Sequence, residues 1–121
     1  MITRRKFIKN AAAATAVGMV SNWAAAANES DRLGQVLPMR RLIRNGEKVT
    51  AFCLGGYHLG VVEEPREAEA IVEKSMEMGV RFYDNARRYF DGRAETYYGQ
   101  FLIPKYRDDI FLMTKSPGKT A

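Results

Sequence analysis

The chain has 121 residues, of which 46% are hydrophobic and 27% charged, a balance typical of a folded globular domain and not of a disordered protein. Its net charge of +5 is concentrated at the start, where four lysines and arginines stand among residues 1–27 without an acidic residue. Because the remainder is close to neutral, the composition does not predict the basic face that nucleic-acid binding requires. Cys53 is the single cysteine, which excludes a disulfide within the chain.

Residues 1–27 have the features of an export signal. Two adjacent arginines precede residues 11–20, an apolar segment too short to cross a bilayer core of roughly 30 Å as a helix, so we expect no stable membrane anchor. Four alanines then offer a cleavage site after Ala26 or Ala27. The pattern Thr-Arg-Arg-x-Phe-Ile-Lys resembles a twin-arginine (Tat) signal peptide, which implies recognition by the Tat export machinery and a periplasmic or secreted, bacterial protein. A basic, membrane-associated N-terminus is the alternative.

A polar segment and a hairpin are predicted next. Residues 28–37 lack periodicity and are interpreted as a linker between the signal and a domain over residues 38–121. Asn45-Gly46 lies between residues 39–44 and 48–50, and this dipeptide is a strong signal for a type I′ hairpin turn, in which both central residues need positive φ.

Short apolar segments then alternate with helical patterns. Strands are predicted over residues 51–54, 80–83 and 110–113. A helix over residues 65–78 has Pro65 in its first turn and Gly79 after its end, and a second over residues 93–102 is closed by Pro104. The buried positions predicted for these helices are Ala68, Ile71, Val72, Ser75, Met78, Ala94, Tyr97, Tyr98 and Phe101. This order of elements favours an α/β fold with a parallel sheet.

Reactive side chains follow the predicted strands. Asp84 ends the second strand, Tyr89 lies in the loop after it, and Lys115 follows the third. Because the carboxyl ends of parallel strands meet at one edge, we expect these three side chains to converge. A nearby ammonium lowers the pKa of a phenol, and a carboxylate keeps that ammonium charged and in place. Such a phenol can protonate a carbonyl oxygen as hydride reaches the carbon.

Residues 79–102 resemble the signature of the aldo/keto reductase family, G-[hydrophobic]-x-F-x-D-x-A-x-x-Y-x-x-G-x-x-E-x-x-x-G-x-x-L. The matching positions are Asp84, Ala86, Tyr89, Gly92, Glu95, Gly99 and Leu102. The resemblance extends from the hairpin to about residue 117, and it implies the N-terminal portion of a (β/α)8 TIM barrel: a bottom hairpin and about three β/α units. The implied activity is NADPH-dependent reduction of a small aldehyde or ketone, without a metal.

The resemblance also implies individual roles. Tyr89 would be the general acid, Lys115 would lower its pKa, and Asp84 would pair with Lys115. Gly56, Tyr57 and Asp84 would lie near the nicotinamide and ribose of NADPH. The family's catalytic histidine follows its fourth strand, so His58 does not match it and is interpreted as a loop residue. Cys53 is interpreted as an inert, buried thiol.

A complete barrel of this kind has about 250 residues, roughly twice the length of this chain. The expectation is therefore an N-terminal fragment of an exported reductase, with little or no activity alone. One alternative is a small secreted α/β protein that binds a partner or self-associates without catalysis. Another is a barrel lyase or isomerase that uses Asp84 and Lys115.

Overall fold

A computed structural model of the protein describes residues 29–116 and 118, so the predicted signal peptide lies outside the described residues. The described part begins with a short antiparallel pair, β1 (Ser30–Asp31) and β2 (Gly34–Gln35). This pair occupies the segment predicted to be a linker. Long-range contacts order this segment, because Arg81 binds Asp31 and the buried Val36 follows β2 directly. A sequence without periodicity can still be ordered when charged and apolar side chains reach distant partners.

The predicted hairpin is present, but its turn differs from the prediction. Strands β3 (Met39–Arg41) and β4 (Lys48–Thr50) pair antiparallel. The connection between them is six residues long, and the amide of Gly46 donates to the carbonyl of Ile43 at 3.0 Å. Neither Asn45 nor Gly46 has positive φ, as a type I′ turn requires. Gly46 instead takes the last position of a four-residue turn, where glycine is also favoured.

Three parallel strands form the central sheet, which confirms the predicted α/β class. They are β5 (Leu54–Gly55), β6 (Phe82–Asp84) and β7 (Phe111–Met113), in the order β5-β6-β7. Each begins later than predicted. The register places Gly55 opposite Asp84 and Asp84 opposite Met113, so the three strands end at one edge of the sheet.

Two helices connect β5 to β6. Helix α1 (Gly56–Val61) begins directly after β5, where the sequence predicted a loop, and α2 (Pro65–Glu77) matches the predicted helix. Pro65 stands in the first turn of α2, and Gly79, with φ of 85°, follows its end. Met76 is buried in place of Met78, which is 62% exposed.

The connection from β6 to β7 begins with a 3₁₀ turn (Tyr89–Gly92) and continues as α3 (Arg93–Tyr97), a π-helical turn (Tyr98–Leu102), α4 (Ile103–Tyr106) and a second 3₁₀ turn (Arg107–Asp109). The helical path therefore passes Pro104, which was predicted to end it. Proline lacks the amide hydrogen that an α-helix needs at that position. The wider π turn just before Pro104 accommodates the change in hydrogen bonding.

The core lies between the sheet and its helices. Tyr83 of β6 and Tyr98 pack edge to face, with ring centroids 5.7 Å apart, and both are almost completely buried. The Tyr83 hydroxyl shares a 2.8 Å hydrogen bond with Ser75 Oγ, and burial raises the pKa of Tyr83 to about 12. The other buried apolar members of this core are Leu59, Ala68, Val72, Met76, Val80, Tyr97 and Leu102. Within residues 29–116, no helix has the length and apolar character needed to cross a membrane.

Candidate active site

The predicted acid, phenol and lysine lie together at the carboxyl edge of the sheet. Asp84 is the last residue of β6, and Lys115 lies two residues beyond the end of β7. The amide of Arg87 donates to the carbonyl of Lys115 at 3.1 Å, which extends the pairing of the two chain segments past the end of the strands. The parallel register therefore brings the side chains of Asp84 and Lys115 to the same height.

Lys115 contacts both of the other two residues. Its Nζ donates to Asp84 Oδ1 in an ion pair, and the same Nζ lies 5.3 Å from the centroid of the Tyr89 ring. This distance is within the range of cation–π attraction. The three side chains thus form one cluster, in which the ammonium lies between a carboxylate and a phenol.

Electrostatics keep Lys115 charged in this cluster. The hydrogen bond that Lys115 donates to Asp84 raises the pKa of Lys115 above its ordinary value of 10.5, and Tyr89 adds to the rise. Partial desolvation acts in the opposite direction but is the smaller effect. Near neutral pH Lys115 is therefore a cation held against a carboxylate.

A strained loop places Tyr89. Its amide donates to the carbonyl of Ala86 at 3.0 Å, and the next three residues, Phe90, Asp91 and Gly92, all have positive φ. Two consecutive non-glycine residues in this region cost roughly 1–2 kcal/mol each. Packing compensates for this cost. The Phe90 ring lies so close to Gly60 that a Cβ at Gly60 would be only 2.8 Å from it.

Tyr57 of α1 packs against Tyr89. Their ring centroids are 5.5 Å apart and the planes are perpendicular, and Tyr57 also packs on Phe90 at 5.1 Å. Tyr57 is 52% exposed, so one part of its ring remains accessible beside the cluster. Phe90 was not identified from the sequence as part of the site, although the Asp91-Gly92 dipeptide that follows it is a signal for a tight turn.

Gly56 brings the start of α1 close to the end of β6. A Cβ at Gly56 would lie 2.8 Å from both the Asp84 carbonyl oxygen and Asn85 Oδ1. Asn85 is buried. Its backbone amide donates to the Met113 carbonyl at 2.7 Å, and its side-chain Oδ1 has no hydrogen-bond partner among the described residues. Only glycine therefore allows this close approach beside Asp84.

His58 and Cys53 differ in their relation to the cluster. His58 is exposed and packs its ring edge to face on Tyr57 at 5.5 Å. Cys53 is exposed, so the prediction of a buried thiol was wrong, because β5 begins only at Leu54. Desolvation of the thiol and the charge of Asp84 nevertheless raise the pKa of Cys53 to about 11.

The residues described by the structure contain no group of three or more His, Cys, Asp and Glu side chains placed to hold a metal ion.

Comparison with known proteins gives a consistent result. The model of the aldo/keto reductase family matches residues 51–121, more than half of the chain. The solved structure of a holo-form aldo-keto reductase from Bacillus halodurans is similar in fold, with a TM-score of 0.59 and 24% identity, and the match covers 69% of this chain and 27% of that one. At this level of identity the likeness concerns the fold.

Two curated relatives are similar in sequence. A probable voltage-gated potassium channel subunit beta from Arabidopsis thaliana is 34% identical over 79 residues, which are 63% of this chain and 24% of that protein. A D-threo-aldose 1-dehydrogenase from a Pseudomonas species is 40% identical over 50 residues, which are 41% of this chain and 15% of that protein. The chain therefore spans a quarter or less of the length of these relatives.

Proposed function

Because the chain belongs to the aldo/keto reductase family, we propose that it supplies the proton-donating centre of an NADPH-dependent reductase acting on a small aldehyde or ketone. Asp84, Tyr89 and Lys115 are the proposed catalytic residues. The observation that carries the proposal is the position of Lys115, which is paired with Asp84 and lies against the Tyr89 ring.

Each residue of the cluster has a chemical task in this reaction. The Tyr89 hydroxyl donates its proton to the carbonyl oxygen as negative charge develops there. The Lys115 ammonium stabilises the negative charge that passes between the two oxygens, since a fixed cation acts strongly in a partly desolvated site. The Asp84 carboxylate holds Lys115 in place and charged, in agreement with the raised pKa of Lys115.

The nicotinamide end of the cofactor is assigned to Gly56, Tyr57 and Asp84. The residues present fit this assignment, because the exposed Tyr57 ring packs edge to face on Tyr89, and the half-buried Asp84 carboxyl binds Lys115, which also contacts the Tyr89 ring. NADPH would supply the hydride for the carbonyl carbon. Gly56 has no Cβ and so allows the close approach of α1 to Asp84, and the exposed Tyr57 ring would offer a surface for a flat group beside Tyr89.

The proposal includes further β/α units that complete the barrel. Among the described residues, β5 pairs with a strand along only one of its edges, where β6 lies. An apolar groove of about 440 Å³ lies beside β5. Its apolar lining consists of Leu37, Phe52, Leu54, Ile71, Met78 and Val80. Such a surface fits coverage by another strand and helix, since parallel sheets are buried on both faces. We therefore expect the 121-residue chain alone to show little or no turnover.

Export is part of the same proposal. Residues 1–27 are proposed to direct the protein through the Tat pathway to the periplasm or beyond the cell, followed by cleavage after Ala26 or Ala27. Fusion of residues 1–27 to a reporter that functions only after folded export tests this. Replacement of Arg4 and Arg5 by lysine should abolish export, and unchanged export would contradict the proposal.

The activity itself is tested by NADPH oxidation in the presence of a panel of aldehydes and ketones. The natural product, purified from the cells that make it and weighed by mass spectrometry, is compared with the 121-residue chain. We expect turnover from a product several-fold heavier than 13.7 kDa, and none from the short chain. A heavier product that neither binds NADPH nor reduces any carbonyl compound would contradict the proposal.

A further inference from the structure

Within residues 29–116, Lys115 has few contacts to hold it in place. It lies beyond β7, its side chain is about half exposed, and in this part of the chain its backbone has one hydrogen bond, from the Arg87 amide. A lysine side chain also has many rotamers to lose when it is fixed. The position of its ammonium therefore depends on the contacts that fix its two neighbours: Arg87 in the loop after β6, and Thr114, which precedes Lys115 in the chain.

Glu95 binds both of these segments with one carboxylate. Thr114 Oγ1 donates to Glu95 Oε1 at 3.4 Å, and Arg87 Nε lies 3.9 Å from Glu95 Oε2. Thr114 directly precedes Lys115, and Arg87 is the residue whose amide binds the Lys115 carbonyl. The carboxylate of helix α3 thus connects the loop after β6 to the end of β7.

Gly92 makes room for this connection. A Cβ at Gly92 would lie 2.4 Å from Arg87 Nη1, so the guanidinium passes over the bare backbone at the start of α3. Glu95 follows three residues later, on the same side of the helix. The Gly-x-x-Glu spacing therefore has a local physical reason, since glycine admits the arginine and glutamate binds it.

We propose that Glu95 is a positioning residue that holds Lys115 against Asp84 and Tyr89 through Thr114 and Arg87. Its consequence for carbonyl reduction rests on the proposed function, but the placement of Lys115 does not. An exposed ion pair of this kind contributes little to stability, because water screens it. Loss of Glu95 should accordingly change the environment of Lys115 more than the stability of the chain.

The test measures the acylation rate of Lys115 in the 121-residue chain by mass spectrometry, at a fixed pH below the pKa of lysine. The groups that face Lys115 are Asp84 and Tyr89, with the Cys53 thiol nearby. Asp84→Asn removes the ion pair and so increases the fraction of neutral amine, which is the only form that reacts. We expect its acylation rate to be about threefold or more above that of the unaltered chain, and this rate is the upper limit for the other variants. No substrate or NADPH takes part, so a negative reductase assay leaves this result independent.

Glu95→Ala and Thr114→Val should each raise the Lys115 rate part of the way to that limit, with little change in melting temperature. Thr114→Val alters no charge, so its effect cannot come from the electric field of Glu95. If Glu95→Ala fails to fold, Thr114→Val still tests whether this contact positions Lys115. Thr114→Ser, which keeps the hydroxyl, and Glu77→Ala, which removes an exposed carboxylate paired with Lys74, should leave the rate unchanged. The proposal is overturned if Glu95→Ala and Thr114→Val match these controls, or if Asp84→Asn itself has no effect.

Discussion

Arg81 binds Asp31 across fifty residues of sequence, with Nε donating to Oδ2 at 2.6 Å and Nη2 donating to Oδ1 at 3.1 Å. The Arg81 side chain is only 5% exposed, and its Nη1 also donates to the carbonyls of Met76 and Val80 at 2.9 Å. A buried guanidinium with all of these acceptors fixes the first strand pair to the amino end of β6.

Replacement of Asp31 by asparagine should destabilise the chain. The variant leaves the buried Arg81 guanidinium without its anion, and we expect a loss of about 1–3 kcal/mol in the free energy of unfolding. Urea unfolding followed by circular dichroism measures this. Glu77→Gln, which alters an exposed pair with Lys74, is the matched control and should change stability by less than about 0.5 kcal/mol. Equal stability of the two variants would contradict the role given to Arg81.

The same pair predicts a pH dependence. The hydrogen bond from Arg81 holds the pKa of Asp31 below its ordinary value of 3.8. Because the folded carboxyl has the lower pKa, its contribution is fully present above that ordinary value and is lost as the pH falls through the folded pKa. The stability difference between the unaltered chain and Asp31→Asn should therefore be constant near neutral pH and shrink in acid. A constant difference down to the acid transition would argue against this linkage.

Gly79 should be intolerant of a side chain. It has φ of 85°, and a Cβ there would lie 2.6 Å from the Gln35 carbonyl oxygen and 2.9 Å from the Leu37 amide. Since both neighbours are backbone atoms, Gly79→Ala should destabilise the chain by more than about 1 kcal/mol. A Cβ at Gly99 would have open space outside its own helical turn, so Gly99→Ala should be neutral or slightly stabilising. Thermal unfolding of the two variants gives the comparison, and similar melting temperatures would be unexpected.

Cys53 should react slowly despite its exposure. Desolvation and the Asp84 charge raise its pKa to about 11, so the reactive thiolate is scarce near pH 8. Alkylation by iodoacetamide should be at least about tenfold slower than for a cysteine in an unfolded peptide. Asp84→Asn should accelerate it, because the second cause of the shift is removed. Reaction at the peptide rate would show that neither effect operates on the thiol.

The sequence was sufficient for the features that depend on local pattern. Helix α2 was predictable from helical spacing together with Pro65 and Gly79, and the parallel sheet followed from the alternation of short apolar strands with helices. The cluster of Asp84, Tyr89 and Lys115 could be located because strand ends in a parallel sheet share one edge.

Other features depend on distant contacts and could not be predicted. Helix α1 has six residues, two of them glycine, and it is stabilised by packing of Leu59 in the core and by the Arg93 guanidinium, which donates to the Gly60 carbonyl at 3.3 Å. Similarly, residues 30–35 are ordered by partners far away in sequence, and the exposure of Met78 depends on the direction of the chain after α2. No local pattern carries this information.

The most direct test of the account is the substitution Tyr89→Phe in the natural product, with NADPH oxidation as the readout. Tyr106→Phe is the matched control, because it removes a hydroxyl that binds Glu73 away from the cluster. We expect Tyr89→Phe to lower kcat for carbonyl reduction by about 100-fold or more, since it deletes the proton donor, and Tyr106→Phe to leave kcat nearly unchanged. Equal turnover by the two variants would contradict the claim that Tyr89 is the general acid of this centre.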